Sequence, residues 1–236
     1  MCTVSFIVSN GKTIITSNRD EKVIRPSAIE PKNYFINNKK IIFPKDSKAG
    51  GTWFAVDEIG TILVLLNGAN EKHQVQLPYR KSRGLIVLDV ISSLSPKDFW
   101  KEIDLENIEP FTLVLFQNNE LFQLRWNGFD KETTQLDTNK NHIWSSSTLY
   151  PKTIRENRSD WFYNFLDSNP EISDTKMLHF HRYTEEENQE NGLVINRNDE
   201  LKTLSITQSV TEKNKVTILH SDLVSNKDFE TSFIII

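Results

Sequence analysis

Met1-Cys2-Thr3-Val4-Ser5-Phe6-Ile7-Val8-Ser9-Asn10-Gly11-Lys12-Thr13-Ile14-Ile15-Thr16-Ser17-Asn18-Arg19-Asp20-Glu21 opens the chain. Val4, Phe6 and Val8 alternate with Thr3, Ser5 and Ile7, the period of two that a β-strand presents to its two faces. Asn10-Gly11 is the strongest short hairpin signal, because a tight hairpin turn needs residues that accept positive φ. A second strand over residues 12–17 follows it. With Asn10-Gly11 as the loop, Ser9 faces Lys12 and Thr3 faces Asn18. Cys2 then lies opposite Arg19, and Asp20 lies opposite the position of Met1.

Outward from this hairpin the pattern repeats. Residues 52–56 and 61–66 flank Asp57-Glu58-Ile59-Gly60, and residues 111–117 and 120–126 flank Asn118-Asn119. Residues 63–66 are apolar on both faces, which predicts a central, buried strand. Further strands are expected at 193–196, 203–210, 215–219 and 231–236. Helices are expected at 83–94 after Ser82 as N-cap, at 96–103 after Ser95 with Pro96 in its first turn, at 153–166 and at 174–180. Residues 131–141 and 183–191 are polar connections, the second a candidate mobile loop. Antiparallel hairpins with helices grouped between them predict α+β layers rather than a doubly wound sheet.

The 236 residues are 37% hydrophobic and 25% charged, with a formal net charge of −4. That is enough for one large domain over residues 1–236 and marginal for two. No apolar run reaches the roughly 18 to 20 residues of a membrane span, so no membrane insertion is expected. With no leader pattern at the start, a cytoplasmic protein is expected. The acidic balance and the lack of a Lys/Arg stripe argue against nucleic acid as a partner. Glycine-rich phosphate motifs are absent. A single cysteine excludes an internal disulfide and a CxxC metal site.

The hairpin register gives that cysteine a chemical reading. Initiator methionine is trimmed before small residues, which would leave Cys2 carrying both a thiol and a free α-amine. The amine has an ordinary pKa of about 7.7 to 8.0 and can act as general base for its own thiol. Directly opposed side chains sit about 4.5 to 5.5 Å apart at Cβ. Arg19 would therefore stand beside the sulfur and favour thiolate, and Asp20 could orient the amine. The alternative is that Cys2 is a buried strand residue and residues 18–21 form a polar turn.

Met1-Cys2-Thr3, Asn18-Arg19-Asp20-Glu21, Arg25-Pro26, Ala49-Gly50-Gly51-Thr52-Trp53 and Leu66-Asn67 together resemble the NRDE family, which includes the transport and Golgi organisation protein 2 homologues. The resemblance returns at Trp144-Ser145-Ser146-Ser147-Thr148-Leu149-Tyr150 and over residues 203–207. That family in turn resembles the cysteine-type N-terminal nucleophile (Ntn) hydrolases, such as choloylglycine hydrolases and penicillin V acylases. The resemblance implies a four-layer αββα sandwich. It implies Cys2 as nucleophile, supported by Arg19 and Asp20, although in those enzymes the Arg and Asp are separated by two residues. Asn67, closing an apolar strand, matches their oxyanion donor; read alone it is a turn residue before Gly68. A second Asn is expected where Ser146 stands, or Ser147 if the match is shifted by one. Arg182 and Arg197 are both open as the late-chain arginine.

Asn18, Gly51, Trp53 and Ser146 are expected to contact substrate. Gly50-Gly51 lets backbone approach a ligand or a neighbouring strand, or simply enters a hairpin. Trp53 lines a pocket or belongs to the core. His179 and His181 lack further ligands for a metal site, and no metal or cofactor is expected. The basic segment over residues 72–83 could meet an anionic ligand tail or be a solvated loop. The resulting expectation is an enzyme that hydrolyses a linear non-peptide amide, or transfers its acyl group, through a thioester on Cys2. The alternative is a binding or trafficking protein that handles lipid or haem on the same scaffold. A small molecule is the expected partner in either case.

Overall fold

The computed structural model describes residues 3–235. The first half runs β1 (Thr3–Ser9), β2 (Lys12–Lys22), β3 (Ile29–Ile36), β4 (Lys39–Lys45), β5 (Phe54–Asp57), β6 (Ile62–Asn67), α1 (Arg83–Ile91) and α2 (Pro96–Glu102). Then follow β7 (Phe111–Gln117), β8 (Glu120–Trp126), β9 (Lys131–Leu136), β10 (His142–Ser145), α3 (Lys152–Ser168) and α4 (Asp174–Tyr183). The chain closes with β11 (Asn196–Arg197), β12 (Leu201–Glu212), β13 (Lys215–Asp222) and β14 (Lys227–Ile234).

The strands form two antiparallel sheets. One has the order β10-β1-β2-β12-β13-β14, with β11 added beside β12. The other is the uninterrupted meander β3-β4-β5-β6-β7-β8-β9. Its fourth strand is β6, and the apolar run over residues 62–66 is buried on both faces as its composition predicts. The opening hairpin has the predicted register, from Ser9 opposite Lys12 to Thr3 opposite Asn18. Asn10 and Gly11 both adopt positive φ, as the two-residue turn requires.

Alternation along the hairpin sorts its side chains into two cores. Val4, Phe6 and Ile15 join the second sheet in the larger core, where Phe6 meets Phe116 at 5.7 Å between ring centroids. Ile7 and Ile14 point the other way, onto Phe162 of α3 and Met177 and Phe180 of α4. On the far side of the second sheet, α1 buries Ile86, Val87, Val90 and Ile91. The layers are therefore helix, sheet, sheet, helix, the αββα sandwich the resemblance implies. Burying one such Phe or Ile completely contributes about 1.5 to 3 kcal/mol, so the two-sided hairpin ties both cores together.

Several expectations need correction. Residues 18–21 are not a turn: β2 continues through them, and Asn18, Arg19 and Asp20 are all buried. The pair β3 and β4, joined by Asn37-Asn38 at positive φ, carries no predicted strand: β3 leaves Lys32, Asn33 and Phe35 exposed, and β4 buries residues 41–44 in succession, so neither shows a clean alternation. Residues 131–136 form an edge strand rather than a connection, mostly exposed and so without an apolar alternation to read. The strand expected at 193–196 shrinks to Asn196–Arg197, because Leu193 and Ile195 are drawn into the core by the chain's path rather than by sheet pairing. Ser82 precedes α1 but makes no side-chain cap, whereas Ser95 caps α2 by accepting from the Asp98 amide.

Candidate active site

The site is built on the last third of β2. Side chains alternate there, so Asn18 and Asp20 face the layer of α3 and α4, and Arg19 faces the space between the sheets. Opposite them β12 carries an irregularity: Thr203 pairs with Asp20 and Ser205 with Arg19, leaving Leu204 extra. A bulge of this kind bends the strand and re-aims its neighbours.

Arg19 is 3% exposed. Its Nη2 donates to Asp46 Oδ2 at 3.0 Å, and its guanidinium lies 4.3 Å from the centre of the Trp53 ring. The same carboxylate oxygen accepts from Arg25 Nε at 2.8 Å, while Asp46 Oδ1 accepts from the amides of Lys48 and Ala49. Burial works against the charge on Asp46, but the Ala49 amide and the two arginines outweigh it and hold the carboxyl below its usual range. Burial lowers the Arg19 pKa from its ordinary value, with Glu21 and Asp46 opposing.

The other face of β2 is fully occupied. Asn18 Nδ2 donates to the carbonyls of His181 and Leu193 at 3.0 and 2.7 Å, and its Oδ1 lies 2.5 Å from His181 Nδ1. The other ring nitrogen of His181 lies 2.7 Å from Ser5 Oγ. Burial, reinforced by the charge of Arg158, pushes the His181 pKa down to about 3, so the ring is neutral. Both His181 nitrogens are thus spent on protein partners, and no group of three or more His, Cys, Asp or Glu suited to a metal occurs among the described residues. Asp20 accepts from Tyr150 Oη at 2.8 Å and from Thr203 Oγ1 at 2.5 Å.

On the inter-sheet side a cavity of about 660 Å³ opens, lined by Arg19, Gly51, Trp53 and Asn67 among others. Segment 77–85 forms its far wall, contributing Leu77, Tyr79, Arg83 and Leu85. Gly51 belongs to that wall for a packing reason: a Cβ there would stand 2.3 Å from the carbonyl carbon of Gly84 at the start of α1. Asn67 ends β6, paired with Phe111 of β7, and its backbone carbonyl accepts from Ser146 Oγ at 2.8 Å. No hydrogen bond of the Asn67 side-chain amide is formed among the described residues. Asn67 also lines a smaller adjoining cavity of about 160 Å³ with Ser146, Arg125 and Arg155.

The structure thus gathers four predicted residues, Arg19, Gly51, Trp53 and Asn67, around one cavity. Asp20 stands behind it, on the opposite face of β2. Asn18 does not line it, since its amide holds α4 to the sheet. Ser146 lies in the adjoining cavity with its hydroxyl between Asn67 and Thr148. Cys2 lies outside the described residues; β1 begins one residue later at Thr3. Of the late arginines, Arg182 lies by Tyr183, and Arg197 lies 5.2 Å from the Tyr150 ring. Sequence reasoning missed Asp46, Tyr150 and Arg158. Asp46 sits in a loop beside a lysine pair, Tyr150 follows a run of small polar residues, and Arg158 falls on a mostly polar helix. None carries a local signal.

Two facing antiparallel sheets between helical layers, with the first hairpin aimed at a cavity, define the fold of the Ntn hydrolases. Solved structures agree on this. The chain matches a cysteine-to-alanine mutant of conjugated bile acid hydrolase from Clostridium perfringens with a TM-score of 0.65 at 9% identity, covering 98% of this chain and 92% of that one. An arginine-to-leucine variant of the same hydrolase gives 0.64 at 9% identity, with the same coverage. An N-acylethanolamine-hydrolyzing acid amidase ortholog from Caenorhabditis elegans gives 0.61 at 10% identity, covering 88% and 92%. At such identities the likeness is one of fold. The chain belongs to the Transport and Golgi organisation 2 family, whose model matches residues 1–231. No curated protein sequence matches it.

Proposed function

We propose that the protein is an Ntn-type cysteine hydrolase or acyltransferase acting on a linear non-peptide amide. The observation that carries this reading is Asn67. Its side-chain amide is without a hydrogen-bond partner among the described residues, at the wall of a cavity shared with Arg19. A fixed amide donor at the edge of a cavity is what a developing oxyanion requires.

In this reading removal of Met1 leaves Cys2 as the first residue, directly before Thr3 at the start of β1. The α-amine takes the thiol proton, and the thiolate adds to the acyl carbonyl. The oxyanion is held by Asn67. Collapse breaks the carbon–nitrogen bond, the ammonium returns its proton to the leaving amine, and a thioester on Cys2 remains. Water completes hydrolysis, or a second nucleophile completes transfer. Asp20 orients the amine, and Arg19 supplies positive potential at the cavity wall.

Intact mass of the mature protein tests the first requirement, and alkylation of Cys2 at neutral pH tests the second. Turnover of a panel of N-acyl amides, abolished in Cys2→Ala, tests the third. Retained Met1 in the mature protein refutes the proposal.

One observation favours a second reading, a binding protein on the same scaffold. Ser146 stands where a second amide donor is expected, and its hydroxyl is already committed to the Asn67 carbonyl. Ligand binding that persists unchanged in Cys2→Ala, with no amide turned over, would select this reading.

A further inference from the structure

The smaller cavity beside Asn67 gathers positive charge that the protein leaves largely unmatched. Arg125 and Arg155 both line it, from different layers. Arg125 stands on β8 two residues after Gln123, which accepts from Trp144 Nε1 of β10 at 2.9 Å, so both belong to the face of β8 that meets the first sheet. Arg155 comes from the start of α3.

Hydroxyls hold the walls in place. Ser146 Oγ donates to the Asn67 carbonyl, Thr112 Oγ1 to the Gly68 carbonyl at 3.0 Å, and Ser147 Oγ to the Glu71 carbonyl at 3.3 Å. A Cβ on Gly68, whose φ is +81°, would stand 2.3 Å from Ser147 Oγ, so a glycine is needed for the two loops to close this tightly. These hydroxyls have spent their protons on the loop after β6.

The arginines have donors to spare. Arg125 makes no hydrogen bond and no ion pair among the described residues, and its buried Nε is without a partner. Glu132, opposite it across the sheet, is exposed and beyond ion-pair distance. Arg155 gives Nη2 to Glu71 at 3.2 and 3.3 Å, a carboxylate that is 75% exposed, and its own buried Nε lacks a partner. Burial disfavours the charge on Arg125, Glu132 opposes this, and Arg155 adds to it. Both guanidinium groups nevertheless stay charged. Two half-buried cations that repel each other, with donors unspent, are costly unless an anion completes them.

A guanidinium has donors only, so what completes the pair must accept hydrogen bonds and carry negative charge. A planar carboxylate is satisfied by one such fork, whereas two forks from different layers suit an anion with oxygens on several sides. A water takes up about 30 Å³ of liquid, so about 160 Å³ holds about five heavy atoms, the size of one phosphate. We propose that this cavity is an anion site in which Arg125 and Arg155 bind phosphate, either free or as the end of a larger ligand. Asn67 lines both cavities, so the rest of such a ligand would have the larger one to enter.

Calorimetric titration of the whole protein with inorganic phosphate, at constant ionic strength set by chloride, tests this. Saturable binding is expected. Arg125→Gln and Arg155→Gln should each weaken it about tenfold or more, the loss of one charge-assisted hydrogen bond. Glu71→Gln relieves Arg155 of a competing carboxylate and should tighten binding, a change that a purely structural role for the arginines does not produce. Hexyl phosphate separates the two sources: tighter binding than inorganic phosphate marks the end of a ligand, and equal or weaker binding marks a free ion. If neither phosphate binds saturably to the unaltered protein, the proposal is overturned. Binding that Arg155→Gln leaves unchanged also overturns it, whether or not Arg125→Gln folds. No readout here uses Cys2 or turnover, so failure of this inference leaves the hydrolase reading standing.

Discussion

His181 makes the stability of this protein depend on pH in a calculable way. The ring is fully buried, its two nitrogens bridge Ser5 and Asn18, and its pKa is lowered from about 6.5 to about 3. In the unfolded chain the imidazole protonates near its ordinary value of about 6.5. The folded pKa is the lower one, so the unfolded state binds the extra proton. Stability is therefore fully present above pH 6.5 and is lost as the pH falls toward 3. Linkage over this interval gives a loss of about 2 kcal/mol at pH 5 and about 3 kcal/mol at pH 4 from this residue alone. Urea unfolding followed by tryptophan fluorescence at pH 7, 6 and 5 measures the total slope. His220, pushed to about 4 by burial with Asp222 opposing and Arg19 assisting, adds to it. The variant His181→Gln keeps hydrogen-bonding capacity without a titrating ring. It is expected to start from lower stability and to lose about 2 kcal/mol less than the parent between pH 7 and 5. An identical pH slope in the two proteins would refute the reasoning, as would a native-state His181 resonance that titrates near 6.5.

Four further outcomes are expected. Asn67→Ala should lower turnover of any amide found to be a substrate by about 10²- to 10³-fold while leaving the circular dichroism spectrum unchanged. Asp46→Ala leaves Arg19 and Arg25 without their shared carboxylate and should cost about 3 kcal/mol in urea unfolding, the low end for a broken buried pair because Arg25 is partly exposed. Gly51→Ala forces a Cβ against the Gly84 backbone and should destabilise by about 1 to 3 kcal/mol, seen as a lower thermal midpoint. Tyr150→Phe removes a hydrogen bond to Asp20 and should slow alkylation of Cys2 at neutral pH with little change in melting temperature; an unchanged rate would show that Asp20 does not need it.

The strand pairs are legible where side chains alternate in polarity, as in β1 and β8, or where a short apolar run meets an Asn-Gly or Asn-Asn turn, as in the fully buried β7. They are illegible where neither pattern is clear. β9 is exposed almost throughout, and β3 presents Lys32, Asn33 and Phe35 to solvent. The candidate site divides in the same way. Arg19 is legible from the register of the first hairpin, and Gly51, Trp53 and Asn67 from the motifs that carry the family resemblance; the structure places all four around one cavity. Asp46, Tyr150 and Arg158 come from a loop, a connection and a helix. Only the packing of β2 against two different layers brings Asp46 to Arg19, and Tyr150, with Arg158 over its ring, to Asp20. Asn18 differs for a related reason: a polar residue beside Arg19 invites a ligand, but alternation turns it to the opposite face, onto His181 and Leu193.

That alternation also limits how the protein can change. Asn18, Arg19 and Asp20 are three consecutive positions that serve a helix, a cavity wall and a buried hydroxyl pair in turn. A slip of one residue in the pairing of β2 would carry the guanidinium under α4 and deliver a carboxylate to Trp53. No intermediate arrangement keeps one of these assignments while revising the others. Sequence drift at these three positions is therefore coupled to the folding of the whole first sheet, and variants that damage the cavity wall there should be recovered as unstable proteins rather than as stable proteins of altered specificity.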